Sequence, residues 1–311
     1  MGVTVQLIDA YENFGRCVKI SNGAVEALVT VDVGPRVIRL CRPGGVNVMF
    51  NDLERAHFNN GPHYDEYYYK GAQWNIYGGH RLWIAPESAP ETAYPDNNPV
   101  AYSVTPSGAV FTQPPQVENG VAFEIELEME ADAPALRVIH RVTNIGKEEK
   151  TFAVWALSVL APGGVEIIPQ NTQDTGLLPN RTVAMWPYCD FSDDRLHLGH
   201  SYATLRQDDR YGPFKMGFDA FAGTGYYVIG DTVFQKTYAP NHPGGVYADY
   251  GCSFETYTNE LFLEQETLGE LKSVAPGATE THIEDWRLFP LEGSLDPKDD
   301  GSIEAFVKGL K

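Results

Sequence analysis

The chain has few basic residues and few cysteines. It contains 23 Lys and Arg against 42 Asp and Glu, which gives a formal net charge of -19. Nucleic acids and anionic membrane surfaces are bound by clustered cations, so we expect neither as a partner. The four cysteines form no CxxC pair, which argues against a zinc cluster, and a chain of this length does not require a disulfide framework.

Long apolar runs and common catalytic motifs are also missing. No stretch of about 18 apolar residues predicts a membrane span, and the N-terminus lacks a basic start followed by an apolar segment. We therefore expect a cytoplasmic protein. Neither a Gly-x-Ser-x-Gly motif nor a phosphate-binding Gly-Lys-Ser/Thr motif is present. The spacing of His57 and His63 matches no recognised ligand set, and we expect no metal and no cofactor.

Short apolar stretches separated by turns dominate the sequence, and helical periodicity is scarce. Hydrophobic residues make up 43% of the 311 residues, and 30 Gly and 21 Pro supply the turns. This pattern predicts an all-β fold, one antiparallel sandwich domain over residues 1–311. A short, exposed helix is predicted at 302–310. The predicted strands are 18–20, 25–31, 37–40, 121–130, 136–142, 151–160, 225–229, 232–237, 252–257, 261–267 and 281–288.

Two of these strands show which side chains are buried. In 121–130 the odd positions are apolar and the even positions from 124 onward are glutamates, which predicts one buried face and one solvated face. In 136–142 the same alternation places His140 among aliphatic residues. We interpret His140 as a core histidine.

Residues 74–83, Trp-Asn-Ile-Tyr-Gly-Gly-His-Arg-Leu-Trp, concentrate chemically useful groups. Glycines permit close approach of the backbone to a ligand, and an imidazole such as that of His80 can titrate near neutral pH. Arg81 either clamps a carboxylate or hydroxyl pair or forms an ion pair with a neighbour such as Glu87. Trp74 and Trp83 offer flat apolar faces that suit either a sugar ring or a packed core.

Two segments carry a resemblance to a known family. The first is 20–40, with Asn-Gly-Ala-Val-Glu-Ala at 22–27 and Asp-Val-Gly-Pro-Arg-Val-Ile at 32–38. The second is 261–288, with Leu-Glu-Gln-Glu-Thr-Leu-Gly at 263–269. Together they resemble the galactose mutarotase-like, or aldose 1-epimerase-like, superfamily. The resemblance implies an antiparallel supersandwich of two large sheets, with a sugar site on the concave face of one sheet.

The resemblance also implies an acid and a base for mutarotation. This reaction needs a proton donor and a proton acceptor on opposite sides of the anomeric carbon, and the family uses a histidine acid and a glutamate base. His80 resembles the family's first histidine, and Glu264 resembles its glutamate. Glu255 and Glu266 remain alternatives for the base, and Glu264 and Glu266 share a strand face because they are two residues apart.

The family's second histidine is missing. The strand on which it is expected carries Trp155, whose indole only donates a hydrogen bond and is expected to pack beneath a sugar ring. His242, in a Pro-Gly loop, is a candidate for the missing imidazole.

Two function hypotheses follow. One is an isomerase of the aldose 1-epimerase type that acts on a neutral sugar through His80 and Glu264, with Arg81, Trp74 and Trp83 holding the ring. The other is a carbohydrate-binding or sensing module without catalysis. A polysaccharide lyase relative is a weaker third hypothesis, because the acidic composition disfavours a basic groove. The sequence indicates no oligomeric state.

Overall fold

The computed structural model describes residues 2–210 and 212–310, which form long antiparallel strands and few helices. The helices are α1 (Pro62–Tyr67), α2 (Ala248–Gly251) and α3 (Asp300–Gly309). The strands are β1 (Thr4–Ile8), β2 (Cys17–Ser21), β3 (Glu26–Thr30), β4 (Val37–Cys41), β5 (Phe58–Asn60), β6 (Gln73–Asn75), β7 (Gly79–Ala85), β8 (Ala101–Thr105), β9 (Gly108–Thr112), β10 (Val121–Met129), β11 (Ala135–Asn144), β12 (Lys150–Leu160), β13 (Val165–Pro169), β14 (Val183–Met185), β15 (Leu196–Leu198), β16 (Tyr202–Arg206), β17 (Phe214–Phe218), β18 (Thr224–Ile229), β19 (Thr232–Tyr238), β20 (Phe254–Thr258), β21 (Leu263–Leu268), β22 (Lys272–Val274) and β23 (Thr279–Pro290).

Two large sheets contain most of these strands. The first sheet has the order β1-β2-β3-β4-β7-β12-β21-β20-β17-β14, and β22 also pairs with β12. The second sheet has the order β15-β16-β13-β18-β19-β23-β11-β10-β9-β8. Strands β5 and β6 form a small separate pair. The predicted all-β antiparallel sandwich is therefore confirmed.

The hydrophobic core lies between the two large sheets. It combines inward side chains of the first sheet, such as Val29, Leu82 and Phe254, with those of the second, such as Phe123 and Trp286. Strand β12 is buried along nearly its whole length because it has neighbours on both sides and is covered on both faces. The predicted alternation of β10 is observed: its odd positions are buried, and Arg141 pairs with Glu124 and Glu126 on the outer face.

The C-terminal helix packs more deeply than its sequence predicts. Asp299 caps α3 by accepting a hydrogen bond from the backbone N–H of Ser302. Ile303 and Phe306 are buried against Ile167 and Phe289 on the outer face of the second sheet. The expectation of an exposed helix is wrong in this respect, since one side of α3 adds a second apolar layer. No helix among the described residues is long and apolar enough to cross a membrane.

One carboxyl group is buried in the core without a cationic partner among the hydrogen bonds of the described residues. Glu166 lies on β13 beside the core residue Ile168 and is fully buried. Burial raises the pKa of Glu166 to about 8, against the smaller opposing influence of Thr256 and Gln265. At neutral pH this side chain is therefore mostly protonated, and it fits the core as an uncharged acid.

Replacing Glu166 by glutamine is expected to stabilise the protein in a pH-dependent way. The folded pKa lies above the ordinary value of 4.5, so the wild-type contribution is complete below pH 4.5 and is lost as the pH rises toward 8. Relative to wild type, Glu166→Gln should gain about 1.4 kcal/mol of unfolding free energy per pH unit in this window.

Urea denaturation of both proteins between pH 4.5 and 9 measures this difference. Substitution of the exposed Glu118 by glutamine serves as a control. Its unfolding free energy, plotted against pH, should run parallel to that of wild type. If the unfolding free energy of Glu166→Gln also ran parallel to that of wild type, the raised pKa of Glu166 would be contradicted.

Candidate functional site

Residues 79–85 form an inner strand of the first sheet, β7, and not a loop. Tyr77, Gly78 and Gly79 all have positive φ, at 55°, 100° and 67°. A Cβ at Gly78 would overlap the carbonyl oxygen of Phe50, and one at Gly79 would overlap that of Val37. Glycine is therefore required where the chain enters β7. The strand then pairs with β12 over most of its length.

The side chains of His80 and Arg81 lie on opposite faces of the first sheet, because successive side chains of a strand alternate. His80 is fully buried between the sheets. Arg81 lies on the outer face and pairs with Glu264, its Nη1 being 2.8 Å from Oε1. The expectation that His80 and Glu264 face each other across one cleft is therefore not met. The alternative that Arg81 pairs with Glu87 gives way to the observed Glu264 pair.

His80 belongs to a chain of hydrogen bonds that joins the two sheets. Its Nδ1 lies 2.8 Å from Ser158 Oγ, and its Nε2 lies 2.7 Å from His140 Nε2. His140 Nδ1 lies 3.0 Å from the backbone carbonyl of His282, which only accepts. His140 therefore donates from Nδ1 and accepts at Nε2. This assigns His80 as the Nε2 donor, with Ser158 donating to its Nδ1.

His80, His140, His282 and Glu284 form a polar layer between the two sheets. Glu284 is the buried anion of this layer. Its Oε1 accepts from Lys236 Nζ at 3.0 Å and from Thr267 Oγ1 at 2.6 Å, and its Oε2 accepts from Trp286 Nε1 at 2.7 Å. Burial opposes ionisation, but Lys236 and then His80 and the other histidines hold the pKa of Glu284 below its usual range.

The histidines of this layer are neutral at pH 7. Burial lowers the pKa of His80 well below its ordinary value, lowers that of His140, and brings that of His282 to about 3. Ligand atoms of His80, His140 and Glu284 lie within 4.8 Å of one another. Their lone pairs already serve the hydrogen bonds and the Lys236 ion pair, so we interpret the group as a polar core layer and not as a metal site.

The outer face of the first sheet carries a different set of side chains. Register places them together: Trp83 is opposite Trp155, Arg81 is opposite Leu157, and Leu157 is opposite Glu266. Glu255 is opposite Glu266, and Tyr257 is opposite Glu264. These strands form the floor of a cleft of about 160 Å³. Its walls and floor are lined by His57, Asn59, Trp74, Ile76, Arg81, Trp83, Glu87, Trp155, Leu157, Tyr188, Lys215, Tyr257, Phe262, Glu264 and Glu266.

Arg81 is held between a carboxylate and two indoles. Besides its ion pair with Glu264, its guanidinium carbon lies 4.1 Å from the ring centroid of Trp83 and 5.5 Å from that of Trp74. Arg81 is 2% exposed and Glu264 is 7% exposed. Stacking and pairing together leave the guanidinium little freedom to reorient.

Lys215 is the second cation of the cleft, and sequence reasoning missed it. Its Nζ lies 2.8 Å from Glu255 Oε2 and 3.1 Å from Glu266 Oε2. It also lies 4.7 Å and 4.8 Å from the ring centroids of Trp155 and Trp186. A lone lysine inside the apolar run 214–218 is the signal that could have identified it.

Burial and pairing shift the pKa values of this group in different ways. Burial raises the pKa of Glu266 to about 7, although Lys215 opposes the shift. Burial also raises the pKa of Glu255 well above its ordinary value. Burial alone would lower the pKa of Lys215, but Glu266 and Glu255 raise it, so the ammonium stays charged.

Three polar atoms of the cleft residues are buried and have no hydrogen-bond partner among the described residues. They are Trp74 Nε1, Arg81 Nε and Glu266 Oε1, while Glu266 Oε2 accepts from Trp155 Nε1 at 3.0 Å. Two donors and one acceptor thus remain available. Buried polar atoms are nearly always paired, so these three mark where a ligand or water completes the site.

The structure brings together most of the residues that the sequence singled out. Trp74, Arg81, Trp83, Trp155, Glu264 and Glu266 line the cleft, and Glu255 adjoins it through its ion pair with the lining residue Lys215. His242 does not join them. Its side chain is 58% exposed on a loop, where its Nε2 lies 3.6 Å from Glu270.

A larger depression lies on the outer face of the second sheet, but its chemistry differs. The described residues that line its volume of about 550 Å³ include no aromatic side chain. Its charges form exposed ion pairs such as Arg137 with Asp285 at 2.8 Å. The smaller aromatic cleft is therefore the better candidate for ligand recognition.

Comparison with known proteins identifies the fold. No family model and no curated protein sequence matches the chain. A candidate aldose 1-epimerase from Klebsiella pneumoniae aligns with 98% of this chain and 86% of its own, at TM-score 0.60 and 9% identity. A galactose mutarotase-like protein from Lactobacillus casei aligns over 88% and 100%, at TM-score 0.56 and 9% identity.

A TPR-domain containing protein from Parabacteroides distasonis aligns with 90% of this chain at TM-score 0.59 and 14% identity. This chain spans 48% of the length of that protein. The chain thus has the galactose mutarotase-like fold, and the fold that the sequence resemblance implied is confirmed.

Replacing His80 by alanine is expected to destabilise the protein by about 2 to 4 kcal/mol, because Ser158 and His140 would lose a buried partner and a cavity would form. The exposed His63→Ala offers a matched control, with an expected change within about 0.5 kcal/mol. Urea denaturation at pH 7.5 measures both. Equal, small effects of the two substitutions would show that the inter-sheet chain contributes no stability.

Proposed function

We propose that the outer-face cleft of the first sheet binds a neutral sugar. The observation that carries this proposal is the combination of Trp74, Trp83 and Trp155 with unpaired polar atoms at Arg81 and Glu266. Sugar rings have apolar C–H faces and a rim of hydroxyl groups. The indoles match the faces, and the free donors and acceptor match the hydroxyls.

The charges of the cleft favour a neutral ligand over an anionic one. Arg81 is already paired with Glu264, and Lys215 with Glu255 and Glu266. A phosphate or carboxylate would have to displace one of these carboxylates from a buried cation. The sugar-related names of the Klebsiella and Lactobacillus proteins with this fold agree with the proposal.

Sugar binding can be tested by isothermal titration calorimetry with glucose and galactose. Removing a central aromatic side chain should have a large effect, so Trp83→Ala is expected to weaken binding at least about tenfold. Tyr102→Ala, on the edge strand β8 of the second sheet, should leave the affinity unchanged. The absence of any heat of binding with folded wild-type protein would refute the proposal.

A second candidate function is anomerisation, favoured by two carboxyl groups in unlike environments. Glu264 and Glu266 lie on one face of β21, the first paired with Arg81 and the second with its pKa raised to about 7 by burial. A carboxylate held by an ion pair can accept a proton, and a carboxyl group kept protonated by burial can donate one. Glu264 would take the proton of the anomeric hydroxyl while Glu266 protonates the ring oxygen, and the C1–O5 bond would break to give the open-chain aldehyde.

This reaction makes a separate prediction. Wild-type protein should accelerate the interconversion of α- and β-glucose, with activity falling above about pH 7 as Glu266 loses its proton. Loss of the general acid typically costs about 10² to 10⁴ in rate, so Glu266→Gln should be nearly inactive, whereas the exposed Glu260→Gln should match wild type. NMR of freshly dissolved α-glucose measures the rate. Sugar binding without any acceleration would leave the protein as a binding module.

A further inference from the structure

A second cavity adjoins the cleft. This outer cavity has a volume of about 360 Å³ and is lined by Glu87, Ser88, Ala89, Trp155, Trp186 and Asp249. Glu87 and Trp155 also line the inner cleft, so the two spaces lie side by side along one face of the sheet. Trp155 and Glu87 thus form part of the boundary of both spaces.

Lys215 connects the two spaces. Its ammonium lies 4.7 Å from the ring centroid of Trp155 and 4.8 Å from that of Trp186. Trp186 is partly exposed, so its ring offers a face to a ligand. The outer cavity therefore repeats the chemistry of the inner cleft on a smaller set of residues, with an indole beside carboxylates and a hydroxyl.

Asp249 reaches this cavity from an unusual turn. Asp249 and Tyr250 have φ of 49° and 66°, both in the left-handed region, and Gly251 follows at 104°. A bulky residue such as tyrosine rarely adopts this conformation. The turn is secured by the backbone N–H of Cys252, which donates to Ala248 over 2.8 Å, and by Asn241 Nδ2, which donates to the Gly251 carbonyl over 3.1 Å.

Such strain persists only where the surroundings enforce it, and it is concentrated at ligand-binding positions. Here the strained turn leaves Tyr250 93% exposed while Asp249 lines the cavity. The turn is therefore not held by packing of the tyrosine ring, and it places Asp249 at the cavity.

We propose that the cleft binds two consecutive sugar units, the second one seated in the outer cavity by Trp186 and Asp249. The preferred ligand is then a disaccharide or a longer chain, while a monosaccharide occupies the inner cleft alone and binds more weakly. This inference rests on the proposed sugar-binding function of the inner cleft. In the outer cavity the Asp249 carboxylate accepts hydroxyl hydrogen bonds, and the Trp186 ring packs on the apolar face of the second sugar unit.

The test compares monosaccharides with disaccharides on the same protein by isothermal titration calorimetry, using glucose, galactose, maltose, cellobiose and lactose. At least one disaccharide should bind about tenfold more tightly than its monosaccharides, because one charge-assisted hydrogen bond and one aromatic contact are added.

Asp249→Asn removes the charge yet keeps a residue that tolerates the left-handed conformation. It should lower the affinity for that disaccharide by about tenfold, the loss expected for one charge-assisted bond, and leave monosaccharide affinity unchanged. Tyr250→Asn is the matched control in the same turn and should change neither affinity.

The outcomes separate the two proposals. Equal affinity for monosaccharides and disaccharides would overturn the proposal of a second sugar unit and leave the inner cleft as a monosaccharide site. A preference for a disaccharide that Asp249→Asn does not reduce would overturn the assignment to the outer cavity. Binding of none of the five sugars would overturn both proposals.

Discussion

Strand β7 contributes to two separate groups of polar side chains, one between the sheets and one in the outer-face cleft, because its successive side chains lie on opposite faces. His80 points between the sheets, and Arg81 points to the outer face, one residue later. The positive φ values at Gly78 and Gly79, where any Cβ would strike a neighbouring carbonyl, determine how the chain enters the strand. A shift of one residue in the register of β7 would exchange these two side chains and dismantle both groups.

The two groups differ in how their charges are satisfied. Between the sheets, neutral histidines with assigned tautomers and the Glu284–Lys236 pair fill most of their hydrogen-bonding capacity with one another. On the outer face, Arg81 and Glu266 keep polar atoms that no described residue satisfies. A closed network stabilises a fold, whereas an open one can bind a ligand. This contrast is the physical basis for placing function in the cleft.

Much of the fold could be predicted from sequence, because alternation and turn chemistry are local. The alternating residues of β10 predicted their exposure correctly, and the predicted strand at 151–160 coincides with β12. That Glu264, Glu266 and Trp155 lie close together could be expected from the family resemblance and from the two-residue repeat of a strand. The strand that carries His80 was not predicted, since two glycines before a mixed segment are equally typical of a loop.

The remaining site residues depend on contacts between distant parts of the chain. Lys215 meets Glu255 and Glu266 only because β17, β20 and β21 are adjacent, and Asp249 reaches the outer cavity through a strained turn. The lysine inside the apolar run 214–218 marks Lys215 as unusual, but neither its partners nor the path of the Asp249 turn can be read from the local sequence. The exposed position of His242 likewise depends on the path of a loop, which a single sequence does not specify.

We propose that ligand recognition takes place on the outer face of the first sheet, at Arg81, and not at His80. A crystal structure of the protein soaked with glucose or galactose tests it most directly. We expect a pyranose ring in the cleft, stacked on Trp83 and within hydrogen-bond distance of Arg81 or Glu266. A sugar bound elsewhere, with this cleft left filled only by water, would contradict it.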